Sequence, residues 1–409
     1  MEDCVMSDLK VPYPVIVGGH ICLDIIPSVQ GNNFSMVPGK LVAVGPAVIA
    51  AGGAVANSGI ALHRLGIPVH LMGKIGDDIL GEAILEIIRK EGNALADGMI
   101  VAEGESTSYS IVLSPPNIDR MFLHCTGAND TFNSSDVAID TIKDAGLFHF
   151  GYPPLMLQMY LDEGAETLKM MRKVKNSGLT TSLDLAKPDP DAAAGRLNWR
   201  KILASVLPYV DLFHPSIEEL LFMLRRQHYE AMLQEFGSER LIEHVEVELL
   251  EDLSTELLNM GAAIVILKLG EHGLFMRTSN NAARLADMGR YSPANQARWL
   301  DRELYTPCFK VNVTGTTGAG DCTIAGFLAG FVQGLDPEDA LIGAIGIGAC
   351  NVEQQDATSG ILPWNSVIRR IADGWDQYLP RPHFSEFKPR RSSNAFVYMG
   401  PMDPIYSEI

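Results

Sequence analysis

Positive charge is scarce in this sequence: 32 lysines and arginines stand against 50 aspartates and glutamates, a net charge of −18 over 409 residues. Such a surface repels phosphate backbones and anionic headgroups, so nucleic-acid and membrane partners are not expected. The densest basic cluster, KPRR at Lys388 to Arg391, is too short to reverse that balance. The six cysteines are scattered, with no C-x-x-C pair and no Cys/His group at zinc spacing, which fits a reducing compartment. No uninterrupted apolar stretch approaches the length of a membrane span, and the opening MEDCVMSDLK has no apolar core of a signal peptide, so a cytoplasmic location is expected. Also missing are the P-loop signature G-x-x-x-x-G-K-[ST] and a G-x-G-x-x-G after the first strand-like run. The first lack removes the P-loop lysine, and the second weakens a dinucleotide-binding reading.

What is present is enough apolar material for a large core: 47% apolar against 20% charged residues argues against wholesale disorder. Compact apolar runs (YPVIVGG at 13–19, LFHFGY at 147–152, TSLDLA at 181–186, VDLFHP at 210–215, AAIVILKLG at 262–270) alternate with helical patterns and end in polar or glycine-containing turns. They read as buried parallel strands of a layered α/β fold, whose C-terminal ends are where such sheets bind ligands. Residues 22–50 and 106–125 interleave β-branched and polar residues and read as a small accessory sheet. Residues 217–260 are charged and amphipathic, as expected of two or three surface helices, and the tail from 376, rich in proline and aromatics, reads as an ordered extension over the surface or an oligomer contact.

The segment GTTGAGD (315–321) lies between FKVNVT (309–314), read as a strand, and the helical pattern DCTIAGFLAGFVQG. Residues nearly without side chains let a ligand touch the main chain, and the amides of Gly318, Ala319 and Gly320 at a helix N-terminus suit a phosphate. A carboxylate beside phosphates would normally repel them, so the presence of Asp321 suggests that it meets a substrate hydroxyl. The plainer alternative is that Asp321 complements the helix dipole.

Taken with the diglycine turn AGGAVANSGIALHRLG (51–66) and GKIGDD (73–78), the segment resembles the PfkB or ribokinase family of carbohydrate and nucleoside kinases from about residue 13 to 365. The resemblance implies a ribokinase-like α/β fold: a mainly parallel sheet flanked by helices on both faces, with a small β-sheet lid. It divides the chain into a kinase domain at 11–375, with its lid at 22–50 and 106–125 and a helical insert at 217–260, and a C-terminal extension at 376–409. It further implies ATP and magnesium, a small sugar-like acceptor, Asp321 as general base, and the Gly318–Gly320 backbone as anion hole. Asp24, Gly52, Gly53 and Asn57 would meet the acceptor. Lys268, Gly270, Gly273, Thr316 and Asn351 would meet ATP, and Glu219 would act on the metal indirectly.

Two positions depart from the family pattern. Ser216 stands where asparagine is usual, and Ser216-x-x-Glu219 is also a helix capping box. Gly315 replaces a carboxylate often found in a monovalent-cation site, so potassium activation is not expected. A homodimer is compatible with the resemblance. A nucleoside kinase, with Phe122 or Tyr109 stacking on a base, and a non-catalytic ligand sensor on the same fold are the alternatives at this point.

Overall fold

A computed structural model describes residues 11–29, 37–113, 121–238, 240–392 and 394–408. The strands are β1 (Val15–Gly19), β2 (Cys22–Pro27), β3 (Ala47–Gly52), β4 (Val69–Met72), β5 (Lys74–Gly76), β6 (Ile100–Ala102), β7 (Tyr109–Leu113), β8 (Met121–Cys125), β9 (Leu147–Gly151), β10 (Thr180–Leu183), β11 (Leu212–Phe213), β12 (Ile264–Lys268), β13 (Leu274–Thr278), β14 (Glu303–Thr306), β15 (Lys388–Ser392) and β16 (Ala395–Met399). Ten of them form one sheet in the order β15-β16-β14-β13-β12-β11-β10-β9-β1-β4. The strands from β12 to β4 in that order run parallel, and β13, β14, β16 and β15 are added antiparallel. β1 and β9 are buried along their whole length, which is why they read as continuous apolar runs instead of alternating ones.

Successive residues feed opposite cores. Val15, Val17, Ile264 and Ile266 pack with the Gly53–Arg64, Ala319–Val332 and Pro337–Val352 helices. Ile16, Phe148, Val265 and Leu267 pack with the Leu157–Asn176, Ile217–Leu224 and Val247–Asn259 helices. A second sheet, β3-β2-β7-β8, stands apart from the ten strands as a lid. No helix among the described residues is long and apolar enough to cross a membrane.

Three expectations need correction. The first helix of the 217–260 segment, Ile217–Leu224, is buried on nearly every side, because the sequence IEELLFML leaves it no broad polar face to expose. The run 309–314 is not a strand of the sheet. Its backbone is held by Asp376, whose carbonyl accepts from Lys310 N at 2.8 Å, and by Val352, whose carbonyl accepts from Thr314 N at 2.8 Å. The tail does not merely lie over the surface: β16 pairs with β14 (Leu304 with Met399, Tyr305 with Tyr398) and β15 pairs with β16, so the tail completes the sheet. Arg302, only 2% exposed, anchors it by donating to Asp403 Oδ2 at 2.9 Å and Glu338 Oε1 at 2.8 Å.

Candidate active site

Asp321 lies in the first turn of the Ala319–Val332 helix, whose N-cap Gly318 takes the left-handed conformation at φ 70°. The carboxylate is 2% exposed. Asn57 Nδ2 donates to its Oδ2 at 2.9 Å, and the Tyr152 hydroxyl lies 2.8 Å from both oxygens. Ser58 Oγ donates to the Asp321 carbonyl at 3.3 Å, so two small-residue helices are joined at their N-terminal ends. Burial pushes the Asp321 carboxyl above the ordinary aspartate range, against the hydrogen bonds from Asn57 and Tyr152 and the charge of Lys268.

Tyr152 is a member of the site that no sequence motif singles out. It follows β9 in the left-handed region at φ 67°, a conformation that costs a bulky residue ~1–3 kcal/mol and collects at functional sites. Its one available signal is its place at the C-terminal end of a parallel strand, just before Pro153 and Pro154.

Lys268 closes β12 and donates to Asp184 Oδ1 at 2.6 Å. A Cβ on Gly320 would lie 3.7 Å from its ammonium, which places the charge beside the helix N-terminus. Burial works against the ammonium, yet Asp184 and Glu219 hold it above its ordinary value and therefore charged. Asp184 follows β10, is fully buried, and leaves Oδ2 without a hydrogen-bond partner. Glu219 completes the capping box: Ser216 N donates to its Oε2 at 2.7 Å and Glu219 N donates to Ser216 Oγ at 3.2 Å. Among the described residues no group of three or more His, Cys, Asp or Glu could hold a metal by itself. Asp184 Oδ2, buried and unpartnered, and the Glu219 carboxylate are the acidic groups that act on Lys268, and they are the protein-side charges that would face a divalent cation brought in on phosphates.

A cavity of about 860 Å³ opens from this point. Lys268, Gly270, Gly273 and Thr316 line it, together with Ala319 and Gly320. Phe309, Val311 and Val313 supply an apolar wall, and Tyr378, Leu379 and Arg381 of the tail another part of its rim. Asn351 does not line it. The side chain is buried and donates to Ala357 O at 2.6 Å, bracing the 353–360 loop, while its neighbour Val352 faces the cavity.

On the other side of Asp321, strand register builds a polar face on the lid. Asp24 aligns with Ala50 and Ser110, and Ser110 aligns with His124. Ser110 Oγ lies 2.9 Å from His124 Nδ1, and His20 Nε2 lies 3.3 Å from His124 Nε2. Cys22 Sγ donates to Asp24 Oδ1 at 3.3 Å. Burial raises the Asp24 carboxyl, opposed by the Cys22 and Ser110 donors, and burial next to His124 lowers His20 to about 3, so that ring is neutral. The absence of a side chain at Gly52 leaves room for the Asp24 carboxylate, since a Cβ would stand 2.1 Å from Asp24 Oδ2. Gly53 packs against His20 in the same way, its Cβ position lying 2.6 Å from Nδ1. Lys74 turns aside to Thr131 O at 3.2 Å and Asp136 at 3.5 Å.

Residues 14–365 match the model of the pfkB family carbohydrate kinases. The chain belongs to the pfkB family. A protein described as an uncharacterized sugar kinase of Archaeoglobus fulgidus is 25% identical over 71% of this chain and 93% of its own length. Probable fructokinase-6, chloroplastic, of Arabidopsis thaliana is 26% identical over 86% of this chain and 80% of its own. The fold is that of Arabidopsis thaliana ribokinase complexed with ribose and ATP, at a TM-score of 0.66 and 19% identity, covering 87% of this chain and 98% of that one.

The pfkB match stops at residue 365, so the tail residues on the cavity rim lie outside what the family model covers. Within it, Gly315 has no room for the carboxylate of the family pattern: a Cβ would stand 2.7 Å from Gln354 O and 2.9 Å from Gln355 Cα.

Proposed function

We propose that the protein transfers the γ-phosphoryl group of ATP to a hydroxyl of a small sugar or sugar acid. The observation that carries this is the juxtaposition at Asp321: a buried carboxylate in the first turn of a helix, with a large cavity bearing Lys268 on one side and the polar lid face of Asp24, Ser110 and His124 on the other. Nucleotide in the cavity would bring its terminal phosphate to the Gly318–Gly320 backbone and the Lys268 ammonium, where negative charge is stabilised. Asp321, with its pKa raised by burial, accepts the acceptor's proton as the hydroxyl attacks. Asp24 and His124 would hold sugar hydroxyls, and Asn57 would orient the base while its own Oδ1, buried and unpartnered, is open to a ligand donor. Asp184 and Glu219 are the carboxylates that would hold magnesium, which would supply positive charge against the phosphates.

Support for a sugar over a nucleoside is the polar character of that face. Tyr109 precedes Ser110 and so turns to the opposite side of the lid, whereas Phe122, two residues from His124, shares the face but lies one pair farther along β8, opposite Val112. A sensor without catalysis would have no use for a buried carboxylate with a raised pKa at a phosphate-binding helix end. The test is a thermal-shift screen of sugars, sugar acids and nucleosides with a non-hydrolysable ATP analogue, followed by a turnover assay of the hits. Sugar or sugar-acid hits that are phosphorylated support the proposal. Stabilisation only by nucleosides, or binding with no turnover, overturns it.

A further inference from the structure

The transfer described above does not use Tyr152, although the hydroxyl of this residue holds the atoms on which transfer depends. A phenol has one hydrogen, and here it is shared between two carboxylate oxygens at 2.8 Å each, while Asn57 occupies a further site on Oδ2. Asp321 is only 2% exposed, and the phenol stands against both of its carboxylate oxygens, where an attacking hydroxyl would have to meet the base. The left-handed backbone at φ 67° and the Pro153–Pro154 pair behind it constrain the segment from which the ring is aimed, while its side-chain torsions are left to turn it aside.

We propose that Tyr152 occupies the acceptor-hydroxyl position of the resting site and keeps water off Asp321, so that bound ATP is not hydrolysed before an acceptor arrives. This rests on the kinase reading. With an acceptor, the substrate O–H bond breaks and its proton passes to Asp321. The acceptor oxygen bonds to the γ-phosphorus as the bond to the bridging oxygen breaks, and ADP leaves. Water in the same place would complete the same balance, with inorganic phosphate as product. A water molecule exchanging with the phenol replaces one hydrogen bond by another and gains nothing. A polyol gains the contacts of Asp24, Ser110 and His124 as well, and that binding energy drives the exchange. The phenol remains protonated throughout, because burial and the neighbouring Asp321 and Asp184 charges raise it well above its ordinary value.

Tyr152→Phe keeps the ring and the backbone but vacates a place facing two carboxylate oxygens, enough for one water. The measurement is phosphate release from magnesium–ATP without any acceptor. We expect a rise of ~10-fold or more over the unaltered protein, a part of the ~10²–10⁴-fold that base-activated attack supplies. The double variant Tyr152→Phe/Asp321→Asn should lose that rise. Tyr152→Leu, with the same expected rise, serves if the Phe variant does not fold. No rise, or a rise that survives loss of the Asp321 carboxylate, overturns the proposal. Because this assay needs no acceptor, its failure is distinguishable from failure of the kinase reading, which follows if the unaltered protein phosphorylates no sugar or sugar acid.

Discussion

Gly52→Ala is a small change with a large expected effect on one ligand only. At φ −124° and ψ −177° the backbone of Gly52 is extended and accepts alanine, so the fold has no reason to suffer. The added methyl, however, would stand 2.1 Å from Asp24 Oδ2, 2.6 Å from its Cγ and 2.9 Å from its Oδ1. Ordinary contact begins near ~3.5 Å, so the carboxylate must swing away by more than about 1 Å and lose both the Cys22 hydrogen bond and its aim at the acceptor. A charge-assisted hydrogen bond to a substrate hydroxyl is worth ~1.5–3 kcal/mol, which is roughly a 10- to 150-fold weaker acceptor affinity. ATP affinity should not change. Asp24→Ala should cost ~1–3 kcal/mol by the same reasoning, and Gly52→Ala added to it should cost almost nothing more, because the methyl then meets no carboxylate. Calorimetric titration of acceptor and of ATP analogue into the four proteins of this cycle is the assay. Additive losses, or equal damage to ATP binding, would refute the assignment of Asp24 to the acceptor.

Gly315→Asp should lower stability by ~1–3 kcal/mol in a urea melt, since its Cβ meets the backbone of Gln354 and Gln355, and turnover of the unaltered protein should be the same in sodium and potassium at equal ionic strength. Asp403→Ala should destabilise by ~1.5–3 kcal/mol on the same scale by taking one of two carboxylates from the buried Arg302 guanidinium, which keeps Glu338, and this tests the tail as part of the fold. Burial raises Asp321, so the acid limb of kcat/KM should lie above the usual aspartate range, activity being lost as pH falls through the raised pKa. The stability contribution has the opposite sign: it is complete below the unfolded-state pKa and is lost as pH rises through the folded one. Thermal melts of the unaltered and Asp321→Asn proteins against pH should therefore converge at low pH, apart from what asparagine itself changes.

The layered fold was legible because parallel strands buried on both faces must be written as unbroken apolar runs, as in YPVIVGG and LFHFGY. The lid was legible from its change to polar, β-branched alternation. The run 309–314 misled for a definite reason: Phe309, Val311 and Val313 alternate like strand residues, yet line a cavity while their backbone bonds to the tail and to Val352. The tail hid its role because pairing between residues 304–305 and 398–399 leaves no periodic trace in either segment. At the site, Asp321, Gly52 and Lys268 stood out through glycine turns and strand ends. Asp184 and Tyr152 carried no such punctuation, and only the three-dimensional packing brings them to Lys268 and Asp321.

Asp321→Asn tests the central claim most directly. Asparagine keeps the size of the side chain and still accepts from Tyr152 or Asn57, but it cannot take a full proton, so the base function is separated from packing. With the acceptor found by screening, turnover should fall by ~10²–10⁴-fold, and by more if Asp321 also orients the attacking hydroxyl. Magnesium–ATP affinity should stay within a few-fold or improve as a negative charge near the phosphates is removed. An Asn variant that keeps more than about a tenth of the turnover would fall outside the range of general-base catalysis and would contradict the mechanism.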